Sequence, residues 1–128
     1  MPSSAAHGER ARDNEAFAAA LDLASAIQRS WAVVALFYSA LHWVEAYLAT
    51  KDMHPGNHMV RSRLAGTDTN LRPIYLHYRE LEDMSRHARY ELRPFTEEQV
   101  RELRLRHLTA VKERIATLLT PRPPTPDL

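Results

Sequence analysis

The chain has 128 residues, 45% of them hydrophobic and 26% charged, which suits one domain with a real core. It has no cysteine, and this excludes disulfides, thiolate metal sites and cysteine nucleophiles. The net charge is +1, so global charge alone points to no nucleic-acid partner, although Lys51 and Lys112 are the only lysines and the arginines that dominate suit phosphate or carboxylate.

Residues 1–13 are small and polar, lack the apolar stretch of a signal peptide, and are expected to be flexible. Asp13 or Asn14 can cap a first helix, with Phe17, Leu21, Ala24 and Ile27 at helical spacing and an end near Gln28. Arg29-Ser30 is the only break before the next element, so a kink or a loop would serve there. The central helix, about residues 31–50, is apolar almost all the way round. Ser39, His42 and Glu45 recur every third residue and form one narrow polar stripe, the pattern of the most buried helix of a bundle. Its length raises a transmembrane reading; Glu45 and His42 at mid-span argue against that, and a cytoplasmic protein without membrane contact is expected.

Residues 52–70 form the one loop region, punctuated by Pro55-Gly56, with a short helical turn from His58 to Leu64 that carries Arg61 and Arg63. Asp68 or Asn70 caps a third long helix, in which Pro73 is tolerated because it sits in the first turn. Its apolar stripe is Leu71, Ile74, Tyr75, Tyr78, Leu81, Ser85 and Ala88, and it ends near Tyr90, ahead of Pro94. Thr96 to Gln99 is a capping box, and Phe95 with Val100 is the matching hydrophobic staple. The last helix buries Val100, Leu103, Leu108, Val111, Ile115 and Leu118. Residues 120–128 are a proline-rich tail, expected to be disordered. The fold class is therefore all-α, a four-helix up-and-down bundle over residues 14–119. So small a bundle leaves part of the central helix uncovered, which predicts a homodimer.

Phe37-Tyr38-Ser39-Ala40-Leu41-His42, the His58 to Arg63 loop, and Asp83-Met84-Ser85-Arg86-His87-Ala88-Arg89-Tyr90-Glu91 occur in an order that resembles the HEPN domain family, over about residues 14 to 119. The resemblance implies a dimeric helical bundle from RNA-processing, toxin–antitoxin or phage-defence systems. It also implies either a metal-independent endoribonuclease, with an Arg, four to six intervening residues and then a His, or a non-catalytic relative that binds RNA or a protein encoded in the same operon. In such a nuclease the His moves the ribose hydroxyl proton and the Arg stabilises phosphate charge. This chain departs from the pattern: Glu91 stands where a His would follow Arg86. Arg72–His77 begins beside a proline, and Arg101–His107 are roughly 240° apart on one helix and cannot converge.

The missing His favours a binding or regulatory module over a nuclease. The catalytic candidates are Arg86, His42 and His87; the binding candidates are Arg89, Tyr90, Glu91, His58, Arg61 and Arg63. The structural alternative is that Arg86 pairs with a buried carboxylate such as Glu45. His54 and His58 flank Pro55-Gly56, which breaks any helix that would set them on one face, so no metal or other cofactor is expected. His42-x-x-Glu45 and His77-x-x-Glu80 invert the Glu-x-x-His of di-iron bundles, a weaker ferritin-like reading.

Overall fold

The computed structural model describes residues 1–121; the expected proline-rich tail lies, from residue 122 on, outside the described residues. Every described element is helical. In chain order they are α1 (Ser4–Ala20), α2 (Ala26–Ala49), α3 (His58–Thr67), a 3-10 turn (Arg72–Ile74) leading into α4 (Tyr75–Tyr90), and a last rod. That rod runs unbroken through α5 (Glu97–Glu102), a π-helical turn (Leu103–Leu108) and α6 (Thr109–Leu119).

The N-terminus is helix, where a flexible segment was expected. Ser3 caps α1 by accepting from the Ala6 N–H at 3.1 Å, and the alanines, glutamates and arginines that follow are strong helix formers. Small residues then let α1 lie close along α2: Ala11 is fully buried, and its carbonyl accepts from the Ser39 hydroxyl at 2.7 Å. The interhelical break falls at residues 21–25 and not at Arg29-Ser30. Asp22 accepts from the Ala24 N–H, Ser25 accepts from the Gln28 N–H, and α2 begins at Ala26. Arg29 sits inside α2 and donates to the carbonyls of Leu23 and Phe95, which ties the middle of the loop to the segment just ahead of the last rod.

Helix α2 is the core. Val33, Leu36, Phe37, Ala40, Val44 and Leu48 are buried against α1, α4 and the last rod. It is long and apolar enough to cross a membrane by length and composition, yet 72% of its most apolar window is covered by the rest of the fold. Helices α1 and α4 both run antiparallel to α2: His7 meets His42 while Ala11 meets Ser39, and Phe37 meets Tyr78 while Tyr47 meets Asp68.

Asp68 accepts from the N–H groups of Asn70 and Leu71 and so opens the turn into α4, as its position predicts. The expected stripe buries Leu71, Ile74, Tyr78, Leu81 and Ser85. The capping box forms in both directions: Thr96 accepts from the Gln99 N–H at 3.1 Å, and Gln99 accepts from the Thr96 N–H at 2.8 Å. Leu103 and Leu108, five residues apart, would not share a face of a regular α-helix. The π turn widens the helix so that both are buried while Leu105 points outward, 69% exposed. The Arg104 carbonyl accepts from the Thr109 N–H across the wide turn and also from Thr109 Oγ1, at 3.1 Å.

Candidate functional site

Beside the buried stripe of α4 runs a second one, Arg79, Glu82 with Asp83, Arg86, and Arg89 with Tyr90, again at three- and four-residue spacing. It faces His58, Ser62 and Arg63 of α3 across a cleft of about 590 Å³. Four arginines line that cleft against two carboxylates. Arg86 is paired with Asp83. Arg79 donates to the Tyr75 hydroxyl at 3.0 Å, and the Arg89 guanidinium lies over the Tyr90 ring, 5.0 Å from its centroid. Among the described residues Arg63 and Arg89 form no ion pair with a carboxylate. Tyr90 itself is 72% exposed. Glu82 keeps Oε2 buried without a hydrogen-bond partner; burial, then the Asp83 charge, hold its carboxyl above the ordinary range.

Beneath α1 lies a polar network that reaches this cleft. Arg61 donates through Nε to Glu45 Oε1 at 2.7 Å, and its second nitrogen lies 2.6 Å from the same oxygen. Glu45 Oε2 is 3.3 Å from His7 Nε2, and the Nδ1 atoms of His7 and His42 are 3.0 Å apart with the rings stacked. On the other side Arg61 meets His58 Nδ1 at 3.1 Å. A guanidinium only donates, so His58 accepts at Nδ1 and carries its proton on Nε2. Partial desolvation, then the charges of Arg61 and Arg89, hold His58 below its ordinary pKa.

The structure thus brings His58, Arg63, Arg86, Arg89 and Tyr90 to one cleft. It does not bring the others there. Arg61, expected on a binding surface, is only 7% exposed, because α3 is a true helix that turns this position inward to Glu45. It is Arg61, and not Arg86, that pairs with Glu45. His42 is covered by α1 and meets His7. His87 and Glu91 pair with each other one turn apart at the end of α4, outside the cleft lining. The Arg–His pairs at nuclease spacing do not converge either: Arg101 pairs with Glu97 at 2.9 Å, while His107 and His77 meet each other, Nδ1 to Nδ1, at 3.0 Å. Arg79 and Glu82 were readable as members of the polar stripe of α4; His7 had no local signal, since only the packing of α1 gives it a partner.

Burial, joined by neighbouring positive charge, holds His7, His42 and His107 below 6.5. Above that pH both folded and unfolded chains carry neutral imidazoles there. As pH falls below 6.5 the unfolded chain binds protons that the folded chain refuses, so stability is lost until the depressed folded-state values are reached. Thermal melts in EDTA are expected to show Tm lower by about 5 °C or more at pH 5.5 than at pH 7.5. His107→Gln should flatten the slope, and a pH-independent Tm would count against the refused protons of His7, His42, His107 and His58. Comparison with protein-family models, curated proteins and solved structures finds no match to this chain.

Proposed function

We propose that the chain is a HEPN-like, non-catalytic binding module of an RNA-related, toxin–antitoxin or phage-defence system, and that the α3–α4 cleft takes phosphate-bearing single-stranded RNA. The observation that carries this is the grouping of Arg63, Arg79, Arg86 and Arg89 beside the exposed Tyr90, with no Arg–His pair at nuclease spacing converging among the described residues. Guanidinium groups suit phosphate, and an exposed aromatic ring offers a base a stacking surface. The four long helices are read as a four-helix up-and-down bundle that works as a homodimer. Support for the dimer is the exposed Ile27 and Trp31, one turn apart on α2, with Phe17 exposed on the neighbouring α1. A protein encoded in the same operon is the second expected partner.

Labelled single-stranded RNA titrated in EDTA should bind with an affinity that falls as salt rises. Arg89→Ala and Arg63→Ala should each weaken binding about 3- to 10-fold and reduce the log–log salt slope by about one. Binding that is absent at low salt, or unchanged in both variants, would sink the RNA reading. One observation keeps a metal-independent nuclease as the second reading: His58, held neutral, stands in the cleft with Arg86 and Arg89. RNA cleavage that survives EDTA and is lost in His58→Ala would replace the binding module with that enzyme.

A further inference from the structure

The polar stripe of α2 and the first turns of α1 bring together three groups that neither the cleft nor the RNA reading uses. His7, His42 and Glu45 each offer one donor atom within 4.8 Å of the other two. We propose that they form a binding site for a divalent cation of the zinc class, seated between α1 and α2.

The donor set comes first. Two imidazoles and one carboxylate, with no thiolate, suit Zn²⁺ and its neighbours Co²⁺ and Ni²⁺, whereas Mg²⁺ and Ca²⁺ want oxygen. The close contacts, 3.0 Å between the Nδ1 atoms of His7 and His42 and 3.3 Å between His7 Nε2 and Glu45 Oε2, use different nitrogens of His7, and one ion takes only one of them; with one donor atom per residue the three lie within 4.8 Å of one another. Ligands around a tetrahedral ion with bonds of about 2.0–2.1 Å stand about 3.3 Å apart, so side-chain rotation must draw the farther donor in by up to about 1.5 Å. All three side chains sit on helices, His42 and Glu45 on one face of α2, so the donors are held by rigid backbone. Arg61 grips Glu45 through Oε1 and leaves Oε2 to the ion, the orienting contact that metal-binding carboxylates commonly have. His42 is only partly buried, which leaves a path for the ion and for a water as fourth ligand. The Arg61 charge opposes the cation and weakens its binding. The other close imidazole pair, His77 with His107, has no third donor grouped with it among the described residues and is the internal control.

Untagged chain, stripped with EDTA and dialysed, is titrated with Zn²⁺ by calorimetry and with Co²⁺ by visible absorption at pH 7.5. One equivalent should bind, Co²⁺ should give the intense bands of a tetrahedral or five-coordinate site, and Zn²⁺ should shift the ring resonances of His7 and His42 in the unaltered chain. His42→Gln and His7→Gln should each weaken binding at least 10-fold with helicity retained, and His107→Gln should change it less than 2-fold. No saturable binding by the folded chain overturns the site. So does a hydrogen-bonded imidazole pair that ignores the metal, seen as unshifted His7 and His42 resonances, or an affinity lost equally in His107→Gln. The resonances decide the matter even if a histidine variant fails to fold.

Discussion

Glu45→Ala is expected to lower the unfolding free energy by about 3–5 kcal/mol, measured by urea denaturation at pH 7.5. The cost does not come from the ion pair's own attraction, which desolvation largely offsets. It comes from what stays behind: Arg61 is 7% exposed, and its guanidinium meets Glu45 through two nitrogens. Without Glu45 that charge is buried beside neutral groups alone, His58 Nδ1 and the Tyr78 hydroxyl. The Glu45→Ala, Arg61→Met double variant removes both charges and should recover most of the loss. A double variant no better than the single would place the cost in side-chain packing, and a single variant costing under about 1 kcal/mol would mean that water reaches Arg61.

Deletion of residues 1–13 should be comparably severe, roughly 3 kcal/mol or more, with hydrogen exchange quickened in the middle of α2. The segment looks dispensable by composition. In the fold it supplies the Ala11 carbonyl to the buried Ser39 hydroxyl and His7 to both His42 and Glu45, and it covers Trp43, which is 5% exposed. Stripping it leaves Ser39 without its acceptor and a flank of the core helix open to water. A truncated chain as stable as the whole one would show that α1 rests on α2 without adding to it.

These two expectations also mark where the sequence could be read and where it could not. Signals closed within a few residues were legible: the Thr96–Gln99 box, the Asp68 turn, and the stripe from Leu71 to Ser85 each carry their partners locally. The polar stripe of α2 was legible as a stripe, but its partners were not, because Ser39, His42 and Glu45 are completed by residues of α1 and α3 that no periodicity connects to them. Helix α1 was missed at its start because its buried positions are small, Gly8, Ala11 and Ala18, and carry little hydrophobic signal. Arg86 and Arg61 were exchanged as partners of Glu45 because no local pattern links either to α2, and only the three-dimensional course of α3 decides between them. The cleft itself was half visible, as five of its residues were named while Arg79 and Glu82, on the same face of α4, were passed over.

The wide turn at Leu103–Leu108 bears on how this chain tolerates changes in its own length. A helix that already absorbs one surplus residue between two anchored leucines has a seam where a residue can be lost without moving either anchor. Removing the exposed Leu105 would let the turn close to ordinary α geometry, with Leu103 and the former Leu108 then four apart and both still facing inward. The same deletion elsewhere in the rod would rotate Val111 and Ile115 out of the core. Relatives of this protein that differ by a single gap are therefore expected to carry it here, and a designer seeking to shorten or graft this helix has one place to cut.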